Sequence, residues 1–132
     1  MNKPSITVTE TSAPFWQGVK DKRLLLQYDP LARRHQFFPR PISLQGTGAL
    51  EWRASRGEGK LVAFTETHFP APGFKTPYLE ALIQLDEGPR LFTTVVGVVY
   101  ADLRIGMRMR IVWPDASESS DPFQFTPCQE TS

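Results

Sequence analysis

Residues 60–97 read KLVAFTETHFPAPGFKTPYLEALIQLDEGPRLFTTVVG, and the fold turns on how this stretch divides. Val62 and Phe64 fall on one face of a first strand, and Leu79, Ala81, Ile83 and Leu85 on one face of a second. That is the period-two pattern of strands with one buried side. Glu87-Gly88-Pro89 supplies a tight connection, and Arg90 to Val96 follows as the next strand of a hairpin. Between the first two strands runs His68 to Tyr78, with Pro70, Pro72 and Pro77 among its aromatic residues. Prolines cannot join a ladder interior and they lower the entropy of the unfolded loop. A stiff aromatic loop presents a surface, and function is expected beside it.

Outward from this stretch, short strands recur at regular spacing. Upstream, Leu50, Trp52 and Ala54 alternate, and Gly57-Glu58-Gly59 turns into the first strand. Downstream, Asp102 to Gly106 reads as one helical turn capped by Asp102 and stopped by Gly106. Met107, Met109, Ile111 and Trp113 then share one face of a last strand, with Arg108 and Arg110 outward. The five strands between Ala49 and Trp113 predict a mainly β fold built on a five-stranded barrel of the OB type. Strand count alone does not separate it from an SH3-like barrel.

Before the barrel, Ser12 is placed to cap a short helix with Pro14 in its first turn and Phe15, Trp16 and Val19 on one side. Leu24, Leu26 and Tyr28 alternate as a strand that ends at Asp29-Pro30, and the segment from Gln36 to Pro41 is too proline-rich for a central strand. The predicted organisation is a flexible N-terminus over 1–11, a helix and small lobe over 12–48, the barrel over 49–113 and a tail over 114–132. Phe123 and Phe125 in that tail are the residues able to pack back.

The chain has 132 residues, the length of one domain, and a net charge of +1. Near neutrality selects neither nucleic acid nor an anionic membrane as partner. No run approaches the roughly 20 apolar residues of a membrane span, and MNKPSITVTE lacks a signal-peptide core. Cys128 is the single cysteine, so no disulfide forms within the chain and the cytoplasm is the expected compartment.

Catalytic patterns are scarce: there is no Gly-x-Ser-x-Gly, His-Glu-x-x-His or P-loop sequence. His68, at a strand end beside the proline loop, is the one weak candidate for acid–base work. The other reading makes it an ordinary surface histidine. Asp86 and Glu87 read as a solvated hairpin corner.

Six phrases occur in an order that resembles the domain-of-unknown-function thirty-five family. They are Pro14-Phe15-Trp16-Gln17-Gly18-Val19, Phe37-Phe38-Pro39-Arg40-Pro41, Phe64-Thr65 leading to Pro72-Gly73-Phe74, Leu85-Asp86-Glu87-Gly88, Asp102 to Met107, and Pro122-Phe123-Gln124-Phe125. The resemblance implies an N-terminal helical piece, a rubredoxin-like zinc ribbon and a C-terminal OB barrel. It also implies an accessory protein of acyl-CoA metabolism, partnered by a thiolase, condensing enzyme or hydratase. The four zinc thiolates of that pattern fall here on Asp29, Ala32, Ser43 and Gly46. Two of these have no side-chain donor, so no zinc is expected. The degenerate, metal-free ribbon would then rest on packing of Tyr28, Leu31, Phe37 and Ile42.

Coenzyme A or an acyl-CoA is the ligand this family suggests, and it needs a cation for phosphate, an aromatic for adenine and a groove for its arm. Phe69, Phe74, Lys75 and Tyr78 beside His68 offer that chemistry in one loop, with Arg56 and Arg90 adding charge if their strand ends come near. The competing reading has Phe69, Phe74 and Tyr78 plugging the barrel end. The expected function is a non-catalytic accessory or acyl-CoA-binding protein. The alternatives are a single-stranded nucleic-acid-binding OB module and a free-standing thioesterase or hydratase using His68.

Overall fold

The computed structural model describes residues 11–41, 50–68, 77–115 and 121–128. A helix, α1 (Ala13–Lys20), is followed by strands β1 (Leu25–Asp29), β2 (Arg34–Gln36), β3 (Glu51–Ala54), β4 (Glu58–Thr67), β5 (Tyr78–Leu85), β6 (Arg90–Val95), β7 (Arg108–Val112) and β8 (Gln124–Pro127). The strands form two sheets: a three-stranded one ordered β2-β1-β3, and a closed barrel ordered β4-β5-β6-β8-β7. The mainly β fold with a five-stranded OB-type barrel and one short helix is the fold expected from sequence, but its strand list differs in two places.

The alternating segment at Leu50 to Ala54 is a strand, yet it pairs with β1 (Leu25↔Ala54, Gln27↔Trp52) and stays outside the barrel. The fifth barrel strand comes from the segment read as a tail. Gln124 to Pro127 pairs with β7 over four residue pairs and shares a single ladder pair, Val95↔Phe125, with β6. Alternation identifies a strand but says nothing of its neighbour. Once Trp52 is committed to the small sheet, only Phe123 and Phe125 remain to seal the barrel, and both are buried.

Inside the barrel the expected face of β5 holds: Leu79, Ala81, Ile83 and Leu85 are all buried. On β4 the expected face shifts. A bulge between Leu61 and Ala63 changes the register, so Leu61 is the buried residue and Val62 is only partly covered, while Phe64, opposite Ala81, is partly covered and packs against the core. A bulge inserts one unpaired residue and breaks the period-two rule locally. Met109 of β7 is fully buried and Arg108 and Arg110 are exposed, as the alternation requires. The turn before β7 differs too: the 3-10 turn is Tyr100–Asp102, so Asp102 ends it, and Leu103 is already extended. Gly106, at φ +88°, gives its N–H to the Leu61 carbonyl at 2.7 Å and starts the closure of β7 on β4.

Ser12 sits at the N-cap of α1 without a capping bond from its hydroxyl, and the helix stops two residues short of Lys22. Phe15 and Gly18 are its buried residues. Among the described residues no helix is long and apolar enough to cross a membrane.

The small lobe is held by polar bonds more than by the packing foreseen for it. Gln27 is buried; its Oε1 accepts the Gln36 amide at 2.8 Å and the Arg40 N–H at 2.7 Å, and its Nε2 donates to the Arg40 carbonyl at 2.8 Å. Asp29, buried at the first zinc position, accepts the N–H groups of Leu31 and Ala32 at 3.0 Å each through Oδ1. A carboxylate already closing this turn, next to an alanine, does not fit a tetrahedral metal. Ser43, Gly46 and Ile42 lie outside the described residues. Leu31 is 74% exposed and packs nothing, whereas Phe37 does pack against the core. Tyr28 lies against His35, centroids 4.6 Å apart, and under the Arg53 guanidinium at 3.7 Å. Gln27→Ala is therefore expected to cost about 2 kcal/mol, since it removes three hydrogen bonds at once, one to buried Gln36 and two to the main chain of Arg40; urea denaturation measures it.

The Asp86-Glu87-Gly88 corner ties the two sheets together. Glu87 accepts the Ser55 hydroxyl at 2.8 Å and the Arg56 N–H at 2.9 Å, fixing the passage from β3 to β4. His35 of β2 lies near the same residue; burial holds its pKa below the ordinary value, and the Glu87 charge opposes that. Asp86 receives Arg108 in a fork, at 2.7 and 2.8 Å. Those bonds hold its carboxyl below the usual range. Its contribution to stability is present above the unfolded value of 3.8 and is lost as pH falls through the lower folded value. Asp86→Asn should lower stability at pH 7 by about 1 kcal/mol or less, because the pair is exposed, and should remove this part of the acid dependence in denaturation curves taken at pH 7 and pH 3.

Candidate functional site

Helix α1, the end of β2 and the start of β8 converge beside the barrel because each brings a phenylalanine. Phe15 meets Phe37, Phe38 and Phe123 with ring centroids at 5.6, 5.4 and 6.5 Å, and Trp16 at 4.9 Å. Between this cluster and the barrel wall lies an open apolar hollow of about 430 Å³, closed on the other side by Leu82, Arg90, Leu91 and Phe92. Two smaller hollows, of about 170 and 230 Å³, adjoin it over the outer faces of β4, β5 and β6. Phe92 borders all three and is 76% exposed.

The register explains why this face is apolar. Ala63, Leu82 and Phe92 stand opposite one another across β4, β5 and β6, on the side facing away from the core. On β6 the usual arrangement is reversed, since Thr93 points inward and Phe92 outward. A large ring held in water at the middle of a strand has no folding advantage and marks a surface that something covers. Arg90 is the one cation lining the three hollows, and it has no ion-pair partner among the described residues. At the other end stand Glu80 and Asp121, the latter bonded to the Thr94 hydroxyl.

Of the residues singled out from sequence, the described ones fall at two opposite ends of the barrel strands. Phe69, Phe74 and Lys75 lie outside the described residues. His68 ends β4 at the loop side, 67% exposed, with its Nε2 3.0 Å from Glu66. Tyr78 starts β5 at the same end, opposite Thr67, and partial burial with the Glu80 charge beside it raises its pKa. Arg56 is at the far end of β4, 3.8 Å from Asp86, and Arg90 is paired with Gln84 at that same far end. The two arginines are thus separated from His68 by the length of the barrel strands. Arg90 belongs to the groove; Arg56 belongs to the corner network. No group of three or more His, Cys, Asp or Glu is placed to hold a metal among the described residues.

Phe92, Leu82, Phe38 and Trp16 were not foreseen as site residues. The readable signal was Phe92 itself, an aromatic at the outward phase between Leu91 and Thr93.

A scaffold protein of Pyrococcus furiosus that contains a DUF35 domain is 30% identical to this chain over 102 residues, 74% of each. The chain belongs to the DUF35 family. Residues 52–114 match the family described as ChsH2, C-terminal OB-fold domain. The 3-oxo-4,17-pregnadiene-20-carboxyl-CoA hydratase alpha subunit of Mycobacterium tuberculosis is 32% identical over 118 residues. That stretch is 87% of this DUF35 chain but only 37% of the relative, so the chain spans little more than a third of that subunit's length. Among solved structures, one titled Ltp2-ChsH2(DUF35) aldolase aligns over 93% of this chain and 98% of the other, with a TM-score of 0.82 and 27% identity.

Proposed function

We propose that this DUF35 protein is a non-catalytic accessory subunit that docks onto an enzyme of acyl-CoA metabolism, a thiolase-like condensing enzyme, aldolase or hydratase. The observation that carries the reading is the apolar, aromatic-walled groove around the exposed Phe92. A face of this kind serves association, and among the described residues no histidine lines it. The relatives support the choice of partner: they are named as a hydratase subunit, a scaffold, and a component of an aldolase assembly. In this reading CoA or an acyl-CoA is the ligand the assembly handles, the small lobe carries no zinc, and the protein works in the cytoplasm. Single-stranded nucleic acid fits less well, since among the described residues Arg90 is the only cation along the groove and binding to phosphates needs several.

The test is co-expression with a thiolase, aldolase or hydratase encoded beside this gene, followed by size exclusion. Co-elution is expected for the natural protein and a marked loss of it for Phe92→Asp. If the two elute apart, or if Phe92→Asp leaves the complex intact, the reading fails. Calorimetry with CoA and acetyl-CoA, and metal analysis of the purified protein, test the ligand and the zinc-free lobe.

A further inference from the structure

Among the described residues, strand β6 has no partner along one edge from Arg90 to Phe92, and the groove runs beside that edge. Hydrogen bonding from Leu85 N–H to the Pro89 carbonyl at 2.8 Å and from Val96 N–H to the Phe125 carbonyl at 3.0 Å fixes the phase of the strand. Pro89, Leu91, Thr93 and Val95 turn their main-chain groups toward β5; Arg90, Phe92 and Thr94 turn theirs the other way. On that side the described contacts with β8 begin at Thr94, through Gln124, and the one ladder pair is Val95↔Phe125. The N–H groups of Arg90 and Phe92 therefore have no acceptor among the described residues.

The lining of the hollows says where those groups point. Arg90, Leu91 and Phe92 all border the large hollow, and Phe92, Thr93 and Thr94 all border a neighbouring one. Side chains of successive strand residues alternate between faces. Residues of both faces of β6 thus border these two hollows, as they would where depressions run beside the strand's edge. The far wall of the large hollow is Pro122-Phe123 and the α1 and β2 aromatics, which leaves an extended slot between β6 and the segment entering β8.

Resting on the accessory reading, we propose that this slot receives an extended peptide segment of the partner enzyme, added as a further strand to the open edge of β6. Main-chain amides of the guest meet those of Arg90 and Phe92. Its alternate apolar side chains enter the wall formed by Phe15, Phe38 and Phe123, and a carboxylate meets Arg90. Such strand addition draws affinity from main-chain bonds and selectivity from pockets for alternate residues.

The test selects displayed random octapeptides on the full-length protein. The expected consensus has apolar residues at every second position and an acidic residue or free carboxylate at one end. In a synthetic consensus peptide, N-methylation of the amides in one alternating phase is expected to weaken binding at least tenfold, and methylation in the other phase to change it little. Hydrogen exchange at the Arg90 and Phe92 amides should slow on binding. Phe92→Pro removes the edge N–H without touching a bond to β5 and should bind at least tenfold more weakly than Phe92→Ala; Arg90→Glu, which leaves the strand unaltered, should reverse the preference for acid. No consensus, equal tolerance of both methylation phases, or protection of those amides by CoA with displacement of the peptide would each overturn the proposal. Loss of peptide binding with the enzyme complex intact would sink the slot alone. Peptide binding by a protein that forms no complex would sink the accessory reading alone.

Discussion

Gly59→Ala is expected to cost about 3 kcal/mol or more, the range of severe steric insertions into a packed site, and to lower the melting temperature by about 10 °C or more. Gly59 pairs with Leu85 on one side and Met109 on the other, at the point where β4 serves both β5 and β7. A Cβ there would fall inside the contact distance of the Gln84 carbonyl oxygen, with Ile83 Cγ2 at 3.0 Å behind it. The obstacle is main chain, so relief requires β4 and β5 to separate. Gly88→Ala is the control: its φ of +117° disfavours a side chain, but nothing lies within 4 Å, so only backbone strain of about 1 kcal/mol is at stake. A Gly59→Ala protein that melts within a few degrees of the natural one, by circular dichroism, would mean the strands are not this close.

Phe125→Ala should be similarly damaging, at about 3–5 kcal/mol for a fully buried phenylalanine. Phe125 is 0% exposed and sits opposite both Ile111 of β7 and Val95 of β6. Its ring packs on Phe123, centroids 6.2 Å apart. It stands at the joint of both strands closing the barrel, so its loss opens a void where the ring is sealed. Guanidinium unfolding gives the loss directly. A change below about 1 kcal/mol, the usual size for surface substitutions, would return 124–127 to the status of a dispensable tail.

These two residues mark how far the sequence could be read. The inward face of β5, the β5–β6 hairpin, the buried face of β7 and the short helix follow from patterning, since each is a local property of consecutive residues. The phase of β4 does not, because the bulge near Val62 is set by its pairing with β5 and leaves no mark on composition. Trp52 alternates well enough to be a barrel strand, but its partner Gln27 lies 25 positions earlier. Four residues of β8 between serine-, aspartate- and proline-rich segments carry too little pattern to stand out. At the site, loop chemistry suggested His68 with Arg56 and Arg90, while strand direction sends both arginines to the opposite end. The groove was hidden because its walls come from α1, β2, β6 and the approach to β8.

The seam between β6 and β8 sets where this molecule gives way first. A closed barrel spreads strain around its circumference, yet here one joint has a single ladder pair.

 Beyond Val95↔Phe125, the described bonds across that joint are Val96 N–H to the Phe125 carbonyl and Gln124 Nε2 to the Thr94 hydroxyl. Opening there breaks the fewest bonds, and partial openings that break few bonds are the ones a native chain samples most often. Amides of β8 on the β6 side should therefore trade their hydrogens for deuterium sooner than those of the β4–β5 pair. Whatever fills the space beside that joint lengthens the lifetime of the closed form by mass action, so the protein's persistence in the presence of proteases becomes a readout of its occupancy.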